Sequence, residues 1–379
     1  MANFAAGMGA FIIIGILNPL SESFGMSSAQ AGWVLTTFAI AYAIGSPLLV
    51  ALTGRWERRT VLLTGLSVFT LATLWSALSP DMTMLFASRV AVAIGAALIT
   101  PVTAGVAIAV SRPEQTGKAL AAVFFGLTLA QAIGLPIGSF VAYTYGYGAA
   151  FGVVVALGLL SLVGIAWAVP RGLPFKPNSL STLTSSLADW RRMSVILFIG
   201  SFLGAIYVLY TYFSPLMAQS MGYGRDGISL LLFVFGLGAV FGNMLGGWMA
   251  DRFGAMKTLI IIGVLQVILL PLYSALPMSG GWLLVLTFFW SVFGWSVAAP
   301  QQLRVVKVSS GSENVALALH ASSIYIGISM GSLIGGVIVA KSGLMALGVG
   351  AGVCAIFALV HLFCSERWVN AGAPIKKIG

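Results

Sequence analysis

Charge is what this sequence has least of. Only 7% of its 379 residues are Asp, Glu, Lys or Arg, against about 25% in an ordinary soluble domain. A water-facing surface cannot be built from so few charges, so most of the surface must face lipid. Acids are the scarcer sign. The nine are Glu22, Glu57, Asp81, Glu114, Asp189, Asp226, Asp251, Glu313 and Glu366, and none falls at the centre of an apolar run. There are two histidines and two cysteines. That poverty excludes a His- or Cys-rich metal cluster. No serine–histidine–acid set or phosphate loop stands in its place, and GLGAVFG at 236–242 lacks the strand and turn of a nucleotide fingerprint. An enzyme is therefore not expected, and no cofactor or metal site. Cys354 and Cys364 stand ten residues apart in one expected helix, about 15 Å along its axis, which is too far for a disulfide. The net charge of +10 does not indicate nucleic acid, because the basic residues are spread over loops between apolar spans, where they act as topology signals.

What fills the chain is apolar. Hydrophobic residues make up 59% of it, mean hydropathy is +1.03, and 46 glycines suit close packing between membrane helices. Apolar runs fall near 3–23, 30–53, 61–79, 82–110, 118–143, 148–169, 193–219, 227–249, 258–276, 282–306, 314–340 and 343–364. Each is long enough to cross a bilayer as a helix. Phe4–Leu20 runs on toward the next span with no Ala-x-Ala-like site behind it, so it reads as a span and not a cleaved leader. The widest polar gap, Pro170–Arg192, is rich in Pro, Ser and Thr and reads as a linker. The expected fold is an all-α membrane protein of twelve transmembrane helices in two pseudo-symmetric six-helix bundles. Residues 1–170 form the first bundle, 171–190 the linker and 191–379 the second.

Lys and Arg orient it. With the N-terminus inside, the cytoplasmic loops and tail hold Arg55, Arg58, Arg59, Arg112, Lys118, Arg171, Lys176, Arg191, Arg192, Arg252, Lys257, Arg304, Lys307, Arg367, Lys376 and Lys377, while the other side holds only Arg225 and Lys341. That asymmetry predicts both termini and the linker in the cytoplasm, in the cell's inner (plasma) membrane. The halves also repeat. LTGRWERRTVLLTG follows the second span, and GGWMADRFGAMKTLI follows the eighth. Parallel repeats of this kind build many carriers, with the site near the midplane between them.

At these residues the sequence resembles the major facilitator superfamily. Gly247, Asp251, Arg252 and Gly254 match the family's loop motif of Gly, three residues, Asp-Arg, one residue, Gly. The N-terminal copy keeps Arg55, Arg58 and Arg59, but Gly54 stands where the family has Asp, and Glu57 where it has Gly. Arg89 with Gly95, Ala96, Ala97 and Pro101 resembles the fourth-helix motif of proton-coupled members, with Val92 and Ala93 replacing its Gln and Gly. Gly134, Pro136, Gly138 and Ser139 resemble a variant of the exporters' fifth-helix motif. YTYFSPL, PQQLRVV and SSIYIGISMGSLIGG look like the drug–proton antiporter branch, and within it bacterial arabinose, sugar and nucleoside efflux permeases. The resemblance implies a secondary transporter exporting a drug, sugar or nucleoside-like molecule. Its energy would come from a proton gradient, its working unit would be one chain, and its partners would be substrate, protons and lipid. Uptake by symport or uniport on the same fold is the alternative among carriers. A non-transporting membrane receptor is the alternative from another class.

Particular residues carry these expectations. A charge at mid-membrane costs about 2.5–3.5 kcal/mol on insertion scales and normally faces a cavity or partner. Arg89 is such a charge, and Asn18 and Glu22 on the first span lie near its expected depth. Arg89 reads either as a coupling or substrate-holding group or as a structural tie between helices. Glu22 is the only acid near that depth; it reads as a proton carrier or as a solvated acid at the outer mouth. His320, within the inner half of the eleventh span, is the other carrier candidate, because imidazole titrates near pH 6.5; the plain alternative is a neutral hydrogen-bonded ring. Gln131, Tyr207, Tyr210, Trp295, Gln301 and Tyr325 are candidates to line a cavity, since aromatic walls with a few polar groups suit a small ligand. Glycines at 238, 242 and 246 and at 327, 331 and 335 form stripes expected to slide against the fifth and second helices. Asp251 is expected to latch onto the start of the fifth helix, and Gly54 removes the matching acid from the other half.

The charge asymmetry makes a direct prediction. In a background lacking Cys354 and Cys364, an impermeant thiol reagent added outside should label Gly224→Cys and miss Ser181→Cys. The opposite labelling pattern rejects this orientation.

Overall fold

The computed structural model describes residues 1–112, 115–173, 187–309 and 313–371. The expectations for Glu114, Lys176, Ser181, Lys376, Lys377 and most of the linker fall outside these residues, as does the side chain of Lys118. Twelve helices are long and apolar enough to cross a membrane. They are α1 (Ala2–Phe24), α2 (Ser28–Leu52), α3 (Arg58–Ala77), α4 (Met82–Val110), α5 (Ala122–Tyr145), α6 (Tyr147–Ala168), α7 (Trp190–Met221), α8 (Arg225–Phe253), α9 (Ala255–Ala275), α10 (Gly280–Val308), α11 (Val315–Ser342) and α12 (Leu344–Val369). Each lies within a few residues of an apolar run in the sequence. The connecting turns are short and locally specified. Ser27 and Gln30 form a reciprocal capping box at the start of α2. Asp81 caps α4 by accepting the Met84 N–H. Gly25 ends α1 in the left-handed conformation at φ 61°, which a residue with a Cβ adopts only at a cost.

Helices α1 and α7 run through the interior and are buried over nearly their whole lengths. Helices α6 and α12 carry exposed rows of apolar side chains, such as Leu159, Leu160 and Val163 or Val353, Phe357 and Val360. Those rows face lipid at no hydrophobic penalty. One end of the bundle holds the α2–α3 turn, Gly172 and the start of α7, and is called the linker end. The far end holds the turns at Gly25, Gly146, Gly222 and Gly343. The two halves meet along α1 with α7, α2 with α11, and α5 with α8.

The glycine stripes correct an expectation. They do not face the other half. A Cβ on Gly238, Gly242 or Gly246 would run into Phe288, Val292 and Ser296 of α10. A Cβ on Gly327, Gly331 or Gly335 would run into Gly200, Gly204 and Val208 of α7. The stripes are thus seams inside the second half, where backbone meets backbone and the helices move as one body. Close approach between halves depends on isolated glycines instead. Gly236 of α8 lies on the backbone of Ala132 in α5, and Gly32 of α2 lies against the Tyr212 hydroxyl of α7. Tyr212 in turn donates to the Ser332 carbonyl (2.9 Å), and the Ser332 hydroxyl donates to the Gly32 carbonyl (3.0 Å). Among the described residues, hydrogen bonds and ring contacts between the halves run from mid-depth to the far end. The bundle is closed at that end.

Two glycines should therefore respond differently to a methyl group. Overpacking costs about 1–3 kcal/mol where neighbours cannot yield. Gly331→Ala, inside one half, should lower the melting temperature in detergent. Gly236→Ala, between halves, should leave the melt nearly unchanged and cut transport at least tenfold. Equal loss of thermal stability in both variants would refute the distinction.

Candidate functional site

Three spans are interrupted at mid-depth, each about one turn before a proline. A proline has no N–H, and its ring clashes with the carbonyl four residues back. Pro215 frees the carbonyl of Thr211, and α7 breaks at Thr211–Tyr212. Pro300 frees that of Ser296, and α10 breaks at Ser296–Val297. Pro136 frees that of Ala132, and α5 widens into a π turn over Ala130–Gly134. The hydroxyls at two breaks add second bonds to carbonyls that already accept a backbone N–H: Thr211 Oγ1 donates to the Tyr207 carbonyl (2.7 Å) and Ser296 Oγ to the Val292 carbonyl (2.7 Å). Irregular backbone inside a membrane is tolerated only where protein or a cavity covers it, and π turns are frequent at functional sites. Gly134 and Gly138, expected to act as switch residues, let α5 close on Met8 and Ile12 of α1.

A cluster of rings fills the space between the breaks. Tyr210 stacks on Phe235 with centroids 4.0 Å apart and meets Trp290 edge-on at 5.8 Å. Trp290 also contacts Phe235 (4.8 Å), Tyr273 (5.1 Å) and Phe213 (5.8 Å). Tyr207 lies 5.6 Å from Tyr210 and 6.2 Å from Phe11 of the first half. Phe11 stacks on Tyr325 (6.4 Å), and Tyr325 stacks on Tyr42 at 3.7 Å and lies edge-on to Phe38 at 6.2 Å. One aromatic layer therefore spans both halves. Inside it the hydroxyls of Tyr207 and Tyr210 and the indole nitrogen of Trp290 are buried without a hydrogen-bond partner, as is Oε1 of Gln131 in the π turn. The Gln131 backbone carbonyl abuts Gly236, next to Phe235 in sequence.

Arg89 is fully buried on the first-half side of this layer. Nη2 donates to the Gly9 carbonyl of α1 at 2.8 Å, while Nε and Nη1 have no partner. The guanidinium lies over Phe38 (4.9 Å) and Phe151 (5.7 Å). The expected pairing with Asn18 or Glu22 is not present. Gly9 is nine residues before Asn18, about 13 Å along the helix, so Arg89 reaches deeper than counting along α4 suggested. Asn18 instead donates to the Tyr143 hydroxyl (2.8 Å), which lies 3.2 Å from Ser214 Oγ of the second half. Glu22 is exposed in a shallow far-end groove with Asn18, Ser21, Ser28 and Gln219.

The remaining candidates sort by position. Gln301 is buried and donates to the Val195 carbonyl (2.7 Å), tying α10 to α7. His320 is buried on α11 with Nδ1 unpartnered. Trp295 is only half-buried and lies outside the ring cluster; Trp290, five residues earlier, holds the place expected of it. His361 receives the Ser201 hydroxyl and donates to the Ser194 carbonyl (2.7 and 3.0 Å), which makes it a tie between α12 and α7. At the linker end Arg55 is exposed, Arg58 is buried, and Arg59 donates to the Ala166 carbonyl of α6. Glu57 accepts the Gly172 N–H (2.8 Å) and the Thr60 hydroxyl (3.1 Å), and these bonds, the first above all, hold its carboxyl below the usual range. Asp251 and Arg252 are exposed. The sequence reading missed Phe11, Phe38, Tyr42, Phe235 and Trp290. They are aromatic residues in otherwise apolar spans, the same signal that Tyr207, Tyr210 and Tyr325 carried.

The profile of the Major Facilitator Superfamily matches residues 1–314 and 208–377. The uncharacterised MFS-type transporter YbcL of Bacillus subtilis (strain 168) is 30% identical, over 97% of this chain and 95% of that one. A probable sugar efflux transporter of Pasteurella multocida (strain Pm70) is 27% identical over 97% and 91%. The inner membrane transport protein YdhP of Escherichia coli (strain K12) is 26% identical over 96% and 94%. Among solved structures, an inward-facing, occupied bacterial homologue of the human lysosomal transporter Spinster superposes with a TM-score of 0.76 at 18% identity, over 97% and 95%. A D-xylose–proton symporter gives 0.76 at 16%, over 97% and 94%. With its twelve spans and this match along its length, the chain belongs to the major facilitator superfamily: a multi-pass membrane protein and secondary transporter of a small molecule, not an enzyme.

Proposed function

We propose that this transporter exports a small, uncharged, hydroxyl-bearing ring compound, sugar- or nucleoside-like, by proton antiport with alternating access. The observation that carries the substrate class is the set of unpartnered polar atoms in the aromatic layer. Each buried group left without a hydrogen bond costs about 1–3 kcal/mol, and Tyr207, Tyr210 and Trp290 concentrate three such atoms in one ring cluster, with Gln131 of the other half adding a fourth buried, unpartnered atom in the π turn. A ligand with several hydroxyls or ring heteroatoms satisfies them, and its apolar face stacks on the rings. No acid lies in the layer to favour an organic cation. The sugar-efflux name of one relative supports the same class and the outward direction. With both termini in the cytoplasm, closure at the far end makes this the inward-facing conformation.

For the coupling proton, the geometry favours His320 over Glu22. His320 is buried on the helix that carries Tyr325, about one and a half turns toward the linker end, and its Nδ1 has no hydrogen-bond partner. Glu22 lies at the far-end mouth, apart from Arg89. Arg89 keeps two unpartnered nitrogens and lies over Phe38 of the ring layer, which supports a role in holding the first-half side of that layer.

Substrate recognition is tested by counterflow in proteoliposomes against sugars, nucleosides and apolar antibiotics. The transported compound should come from the first two groups. Tyr210→Phe and Trp290→Phe should each raise its KM about tenfold, the equivalent of one hydrogen bond at 1.4 kcal/mol. Counterflow of antibiotics alone would replace the proposed class.

Coupling has its own measurement. His320→Asn should abolish pH-gradient-driven efflux and spare substrate-for-substrate exchange, which needs no net proton movement. Glu22→Gln should keep both. Arg89→Lys should lose most active transport, since a compact ammonium cannot reproduce the guanidinium's fixed donors. Full gradient-driven activity in His320→Asn would remove that residue from coupling.

A further inference from the structure

Helix α8 carries a charged pair near each end, Arg225 with Asp226 and Asp251 with Arg252, and the two ends are in opposite states. At the far end Arg225 reaches across to α5 of the other half. Its guanidinium lies 4.5 Å from the centroid of the Phe140 ring, and Nη1 donates to Thr144 Oγ1 at 3.4 Å. Thr144 is one turn beyond Phe140 and donates its own proton to the Phe140 carbonyl (2.7 Å), which leaves its lone pairs for the arginine. Asp226 grips the other edge of the guanidinium through Nε (2.7 Å) and Nη2 (3.3 Å), and so aims it at α5. At the linker end Asp251, on the last turn of the same helix, is exposed and has no hydrogen bond or ion pair among the described residues. Between the two ends, Gly236 lies directly on the α5 backbone at Ala132 and Gln131. That crossing stands about 16 Å from Arg225 and about 22 Å from Asp251 along the axis. A rigid rod that touches its neighbour at an inner point cannot close on it at both ends.

We infer that Arg225 is the positioning residue that holds the far ends of α8 and α5 together through Phe140 and Thr144. In the alternating-access cycle its release lets the linker end close, where Asp251 is the expected latch. The inference rests on the alternating-access reading but on no particular substrate or proton site. It gives a role to the only arginine expected outside the cytoplasm, which the family motifs leave unassigned. Arg225 is partly exposed, so its contact is worth little in isolation; a cation–π pair at such a site supplies roughly a two- to fivefold population shift. That suffices in a carrier whose two states must both be visited.

The experiment is distance measurement between spin labels in liposomes, with neither substrate nor gradient, so failure of the export reading leaves it intact. Labels at Leu78→Cys and Trp282→Cys span the far end, and labels at Trp56→Cys and Lys257→Cys span the linker end; all four positions are exposed. Arg225→Gln should raise the far-end-open population two- to fivefold and shorten linker-end distances in the same molecules. Asp251→Asn should do the reverse. The double variant should return toward the parent ratio, and Arg225→Lys, which keeps the charge over the ring but not the fork held by Asp226, should fall between. A merely structural arginine would lower the melting temperature and leave both distance distributions in place. That result, or a shift by Arg225→Gln in the same direction as Asp251→Asn, would overturn this role for Arg225.

Discussion

Everything in this structure depends on the backbone having no water to bond to in the membrane. Each N–H and C=O inside lipid must find a partner within the protein, and the helix is the one local solution open to a chain of this kind. Twelve long helices follow from that constraint alone. The interest lies where the constraint is broken. Pro136, Pro215 and Pro300 interrupt α5, α7 and α10 at mid-depth, where freed carbonyls and tilted turns are tolerable only because other helices cover them. Gly236 and Gly246 of α8 cover Ala132 and Ser296 at backbone contact, and the rings of Tyr210 and Phe213 flank the break in α7. The irregular backbone lies inside the bundle because it needs protection from lipid.

Two kinds of close packing divide the mechanical work. Inside the second half, the glycine stripes bring α8 onto α10 and α11 onto α7 at backbone contact, and van der Waals packing of this kind is what holds membrane helices together. Between the halves, contact is made by single glycines, a few side-chain hydrogen bonds and rings. The first kind is extensive and apolar and suits permanent union. The second is local and exchangeable and suits a surface that opens. A bundle built this way deforms at the seam before it deforms within a half.

The sparse charges are placed where they can act. Arg304 and Glu366 pair at 3.0 Å between α10 and α12, inside one half, and Glu57 ties the α2–α3 turn to Gly172 after α6, inside the other. These ties brace each half. Arg89 is different, because its guanidinium is buried, touches the ring layer and keeps two nitrogens unpartnered. Desolvating a charge without full compensation is costly, which is the physical reason to place Arg89 among groups that work and not among those that only brace.

Much of this was legible in the residues themselves. Span number and limits followed from hydropathy because a bilayer demands about 20 apolar residues per helix, and the family followed from the spacing of Gly247, Asp251, Arg252 and Gly254. Tyr207, Tyr210, Gln131 and Tyr325 were recognisable as polar or aromatic residues in otherwise apolar spans. What the chain could not reveal was which face of each helix meets which neighbour. Periodicity is weak when lipid and protein interior are equally apolar, so Trp290 and Trp295 looked alike, the glycine stripes pointed to the wrong partners, and Arg89 was paired with Asn18 and Glu22 by depth alone. Helix rotation, tilt and the reach of a long side chain settle those contacts, and they are set by packing across the whole bundle. Sequence by itself determined how many helices cross and roughly where each begins and ends; only the tertiary structure decided where helices break and what each break faces.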